Sequence, residues 1–120
     1  MMANQEILDL ALPRLRMRAL AWGPADGRLM LCLHGFPDSA HGWRRVAPLL
    51  AEAGYRVVAP FMRGYAPSAV PADGNYHVGA LVSDVLDLYD ALDGGPDAVL
   101  VGHDWGAFAA NAVAAYPNSP

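Results

Sequence analysis

Lysine is absent from this chain: its 8 basic residues are all arginine, and 12 acidic residues leave a formal net charge of −4. That acidic balance argues against nucleic acid or an anionic membrane surface as a partner. Cysteine occurs once, at Cys32, so no internal disulfide can form, and its place within an apolar run reads as a buried structural thiol. Long hydrophobic runs are missing too: they stop after about six residues, where a membrane-spanning helix needs about 20. The opening residues, with Asn4, Gln5, Glu6 and Asp9, do not form a basic stretch leading into an apolar one. No signal peptide is read there, and the cytoplasm is the expected compartment. His, Cys, Asp and Glu show no recognised metal-ligand spacing, so neither a metal nor another cofactor is expected.

What the chain does have is an ordered series of strand and helix signals. Residues 6–12 and 15–22 alternate polar and apolar in places, as a half-exposed antiparallel pair would. Residues 28–33 are apolar after Arg28, as in a strand buried on both faces. Ser39 is a candidate N-cap for a helix that carries Trp43, Val46, Leu49 and Leu50 on one face and ends at Gly54. A short strand at 56–60 leads into a loop rich in proline and glycine over 60–74. Leu81, Val85, Leu88 and Leu92 then repeat at helical spacing over 78–92, with Ser83, Asp84, Asp87 and Asp90 assigned to solvent and Gly94-Gly95-Pro96 as the stop. A strand at 98–101 precedes a last helix that begins near Trp105 and is cut off by Pro117 and Pro120. Trp22 is expected in the core, Trp43 in the core or a pocket wall, and His41 and His77 in solvent. The fold class implied is α/β: a mostly parallel sheet of about five strands, antiparallel at its start, with flanking helices and ligands at the strands' carboxyl ends.

One junction carries the sharpest chemical signal. At 97–109 an apolar run stops at Gly102, Asp104 follows two places later, and Gly106 precedes an alanine-rich stretch. A strand turning abruptly into a helix needs small residues at Gly102 and Gly106, and it would leave the Asp104 carboxylate at the tip beside the helix N-terminus. Spacing alone is weak, because 12 of 120 residues are glycine and Gly23 and Gly27 repeat the interval. Only the pair at 102 and 106 has the strand-turn-helix setting. A plain helix N-cap is the other role an aspartate fills at such a place.

Three strand ends line up: His34-Gly35-Phe36-Pro37-Asp38-Ser39, Arg63-Gly64-Tyr65-Ala66-Pro67-Ser68, and Gly102-His103-Asp104-Trp105-Gly106. In this order they resemble the amino-terminal half of α/β-hydrolase fold enzymes, and among those the epoxide hydrolases with an aspartate nucleophile. The resemblance covers about residues 6–116 and implies a partial core domain over 1–120, without the cap and the carboxyl-terminal strands. It implies Asp104 as nucleophile, with the peptide N–H groups of Phe36 and Trp105 as the oxyanion hole. His34, Pro37 and His103 would line the pocket floor, and the substrate would be a small apolar molecule such as an epoxide. Carboxylate attack on a strained epoxide carbon gives an alkyl-enzyme ester, which water then cleaves at its carbonyl.

Haloalkane dehalogenases are the nearest alternative. They share a Trp after the nucleophile but usually carry Asn where this chain has Phe36. Fluoroacetate-type relatives have the Phe but prefer Arg at the position of Trp105. Ala66 departs from the family's more usual glycine and leaves the local turn open. A histidine base and its orienting acid are expected later in the chain order, yet none of the 16 residues after Asp104 is His, Asp or Glu. The chain therefore reads as a front half with a nucleophile but no means of turnover. Also open are a non-catalytic module that pairs a long open sheet edge with a partner or a second copy, and a chain that does not fold alone.

Overall fold

The computed structural model describes residues 5–35, 38–68, 74 and 77–115. Phe36, Pro37, part of the 60–74 loop, Pro117 and Pro120 lie outside the described residues. Five strands form one sheet: β1 (Glu6–Ala11), β2 (Arg16–Trp22), β3 (Arg28–Leu33), β4 (Tyr55–Pro60) and β5 (Val99–Gly102), in the order β1-β2-β4-β3-β5. β1 pairs antiparallel with β2 and β2 with β4, while β4 and β5 flank β3 in parallel. The mixed sheet expected from the sequence is what forms.

Period-two alternation explains how the central strands are buried twice over. Ala19, Ala21, Leu29, Leu31, Leu33 and Val58 face helices α2 (Val78–Ala91) and α3 (Trp105–Ala115). Their neighbours Leu20, Trp22, Met30, Cys32, Val57 and Ala59 face the other layer, which contains Ala40, Ala47 and Ala51. β3 is buried from Leu29 to Leu33, as its apolar run predicts. Burial pushes the Cys32 thiol up to about 12, so it stays protonated and unreactive.

That second layer is not the single helix expected over 39–54. It consists of a 3-10 turn at Ala40–Trp43, capped by the Ser39 hydroxyl accepting from the His41 N–H at 3.2 Å, then a bend, then α1 (Ala47–Glu52). Pro48 is the physical reason: inside a continuous helix its ring would meet the Arg44 carbonyl, whereas at the first turn it is tolerated. The buried face changes with it. Ala47, Pro48 and Ala51 pack inward, while Val46 and Leu49 are exposed.

α2 buries Leu81, Val85 and Leu88 as its spacing predicts, but Asp84 is buried with them. Its carboxylate holds Arg63 through two hydrogen bonds, 2.7 Å from Nε and 2.8 Å from Nη2. α2 ends at Ala91, ahead of the glycines: Asp93 takes the left-handed conformation (φ +53), and the Gly94 N–H returns to the Tyr89 carbonyl at 2.8 Å. β5 is the outer strand at its end of the order and has four half-buried residues, as many as the strand expected at 98–101. No helix among the described residues is long and apolar enough to cross a membrane.

Connections leave the parallel strands on different sides. β3 runs on into the 3-10 turn and α1 on one face, whereas β4 and β5 run on into α2 and α3 on the other. A crevice opens at the carboxyl ends of adjacent strands whose connections part in this way. That places the candidate site at the residues just after β3, β4 and β5.

Candidate active site

The turn from β5 into α3 is built on contacts too close for any side chain. A Cβ on Gly106 would lie 2.2 Å from the Leu33 carbonyl oxygen, and one on Gly102 would lie 2.3 Å from the Gly106 oxygen. The His103 N–H donates to Leu33 O at 3.1 Å, and the Gly106 N–H donates to His103 O at 2.9 Å. The elbow is thus stitched to the end of β3 before α3 starts.

Asp104 sits at its tip with φ +56, a left-handed conformation for a residue with a side chain. Such a backbone costs about 1–3 kcal/mol and persists only where its surroundings impose it. An ordinary N-cap has extended backbone, so capping α3 does not account for this geometry. Gly35 makes room for it: a Cβ there would lie 2.4 Å from Asp104 Cβ and 2.8 Å from His103 O. The Asp104 side chain is exposed and stands directly before the first turn of α3.

Beside the elbow is a cavity of about 150 Å³ lined by His34, Met62, Arg63, Tyr65, Leu81 and Trp105. His34 is buried at its floor, with Nδ1 3.0 Å from Gly35 O and Nε2 accepting from the Met62 N–H at 3.0 Å. Burial holds its pKa below the ordinary value, against weaker opposing pulls from the Gly35 carbonyl and Asp38. The Tyr65 ring stands edge-on to it, centroids 4.7 Å apart. Burial first, and then the charge of Asp104, holds the Tyr65 hydroxyl above its usual value.

Trp105, the first residue of α3, is 47% exposed and meets the 59% exposed Phe108 in an edge contact at 5.5 Å. As a first helical residue it directs its N–H out of the helix end, where no carbonyl one turn back can accept it. Phe36 and Pro37 lie outside the described residues. His103, expected on the pocket floor, is exposed and lines none of the described cavities; its backbone, not its ring, joins the strands. His41 and His77 are exposed.

Two features were not anticipated. Tyr65 lies within a strand-end motif that the sequence already marked. Asp84 stands three residues after Leu81 and four before Leu88, so the helical spacing itself put it on the buried stripe, where a charge demands a partner. Arg63 is that partner. Ala66 causes no difficulty, because the positive-φ non-glycines among the described residues are Asp93 and Asp104, and Gly64 (φ +82) supplies the turn. No three His, Cys, Asp or Glu side chains gather as a metal site among the described residues.

Residues 28–120 match the model of the alpha/beta hydrolase fold family. The chain belongs to that family. Within it, this α/β-hydrolase is epoxide hydrolase-like. It is 49% identical over 82 residues to an epoxide hydrolase of Caballeronia sordidicola, covering 68% of this chain and 25% of that protein. It is 46% identical over 95 residues to epoxide hydrolase B of Mycobacterium tuberculosis, covering 77% and 26%. The crystal structure of epoxide hydrolase A from Mycobacterium thermoresistibile superposes with a TM-score of 0.87 at 35% identity, over 97% of this chain and 37% of that one. The chain thus spans about a quarter of the length of these curated relatives.

Proposed function

We propose that Asp104 is the nucleophile of an epoxide-opening reaction. The observation that carries the reading is its strained, exposed position, packed closely against Gly35 and directly before Trp105, which lines an apolar cavity. A carboxylate oxygen attacks one ring carbon, the carbon–oxygen bond of the epoxide breaks, and the released alkoxide takes up a proton. The product is an alkyl ester on Asp104. Water then adds to the ester carbonyl, and the oxyanion formed there is met by the N–H of Trp105 and, as the resemblance implies, that of Phe36. Collapse releases a diol and restores the carboxylate.

The second step needs a general base to activate water. His34 does not serve, because both ring nitrogens are engaged with backbone. We assign the base to the part of the fold that this chain, at 25–26% of its relatives' length, does not span. The chain alone is then expected to stop at the ester.

The test is peptide mass mapping after incubation with styrene oxide. A stable adduct on the peptide bearing Asp104, absent from Asp104→Asn, is the expected result. An adduct only on Cys32 or a histidine, or none on a folded chain, would refute the assignment.

A further inference from the structure

The His34 ring joins the ends of β3 and β4 directly and reaches the elbow after β5 through Gly35. It follows β3, its Nε2 receives the Met62 N–H from the segment after β4, and its Nδ1 meets the carbonyl of Gly35, the residue on which Asp104 rests. A carbonyl oxygen only accepts and an amide N–H only donates. These two bonds therefore leave one ring state open, with the proton on Nδ1 and Nε2 bare. An imidazolium would turn a second N–H against that of Met62 and break the clamp.

We infer that His34 is the positioning residue for Asp104, its neutral Nδ1–H ring clamping the ends of β3 and β4 together and thereby fixing the Gly35 seat of the elbow. The inference rests on the reading of Asp104 as nucleophile, though the clamp itself can be tested without it. Charged and titratable groups approach the ring from each neighbouring element. They are Asp38 after β3, Arg63 and Tyr65 after β4, Asp84 on α2 and Asp104 before α3. Arg63 is balanced by its bidentate pair with Asp84. The Gly35 carbonyl and Asp38 favour a charged ring, while burial and the Met62 N–H oppose it. Burial is the larger effect, and the ring stays neutral where an unfolded histidine begins to charge.

Long-range proton–nitrogen NMR on the isotope-labelled full chain reads this directly. The expected result is a protonated Nδ1 and a bare Nε2 at neutral pH, with the ring still neutral as pH falls through 6.5. An Nε2–H tautomer, or titration at the ordinary value, overturns the inference. Two variants then separate the bonds: His34→Asn keeps a donor near Gly35 O, and His34→Gln keeps an acceptor near the Met62 N–H. Each is expected to slow styrene oxide labelling of Asp104 about 10²-fold, the cost of a misplacement near 1 Å. The effect should fall on the rate at saturating epoxide rather than on the concentration for half-saturation. A folded variant that labels at the wild-type rate overturns the positioning role. In both variants the Asp104 amide resonance should move along with those of Gly35 and Met62. Shifts confined to Gly35 and Met62 overturn the inference even if the wild-type chain takes no label, a result that would count separately against the nucleophile assignment.

Discussion

The two ends of the sheet are made from the same parts and put them to different use. Each end has a Gly-x-x-x-Gly pair, an aspartate at positive φ and an Arg–Asp ion pair. At the amino ends of β3–β5 these are Gly23 and Gly27, Asp93, and Arg28 with Asp97. At the carboxyl ends they are Gly102 and Gly106, Asp104, and Arg63 with Asp84. Both glycine pairs are sterically required: a Cβ on Gly23 would lie 2.1 Å from Tyr55 O, and one on Gly27 would lie 2.5 Å from Gly54 O. Glycine spacing therefore reports close backbone packing at either end and says nothing about chemistry. The difference lies in what the packing holds. At the amino end it closes a turn and leaves a cavity lined largely by polar and charged groups. At the carboxyl end it wedges a carboxylate beside an apolar one.

The ion pairs should separate the two ends most. Arg63 and Asp84 are 3% and 6% exposed, whereas Arg28 and Asp97 are 46% and 66% exposed at 3.9 Å. Removing one partner of a buried pair strands a charge and costs about 3–5 kcal/mol, while an exposed pair is worth about 0–1. Arg63→Met is thus expected to lower unfolding free energy severely in urea titrations and Arg28→Met hardly at all. Replacing Arg63 and Asp84 together by apolar residues should recover much of the loss. Equal losses from the two single variants would show that the pairs are not distinguished by burial.

The glycines come next in size. Gly106→Ala and Gly27→Ala each press a Cβ into backbone and should cost about 1–3 kcal/mol. They should differ in labelling, because only Gly106→Ala displaces the elbow from Leu33 and His34. If Gly27→Ala slowed Asp104 labelling as much as Gly106→Ala, the carboxyl-end packing would have no special bearing on the site.

The strands, their order of appearance and the elbow were legible because each rests on a local pattern: an apolar run at 28–33, helical spacing from Leu81, a glycine on either side of Asp104. The helix expected over 39–54 failed on a residue in plain sight, since Pro48 permits only a first turn. Asp84 was misplaced because its charge was weighed above its position on the buried stripe. The mate of Asp84, 21 residues earlier in sequence, becomes visible only when β4 and α2 meet. The two hydrogen bonds of His34 were illegible for the same reason: Met62 lies 28 residues away, and nothing in local spacing joins them. Sequence patterns showed which segments would fold. Contacts across the sheet decided what each side chain would touch.

The smallest effect compares the two strained aspartates. Glycine at a positive-φ position relieves about 1–3 kcal/mol of strain but gives back about 0.4–1 through the freer unfolded chain, so each Asp→Gly change should stabilise by about 1 kcal/mol. Helix dipoles should split the pair. Asp93 follows the carboxyl end of α2, where a negative charge is unfavourable, and Asp104 precedes the amino end of α3, where it is favoured, each effect being about 0.3–1 kcal/mol. Asp93→Gly should therefore stabilise more than Asp104→Gly, and only Asp104→Gly should abolish labelling. The reverse order, with Asp104→Gly the larger gain, would mean that the elbow stores more strain than its dihedral alone implies.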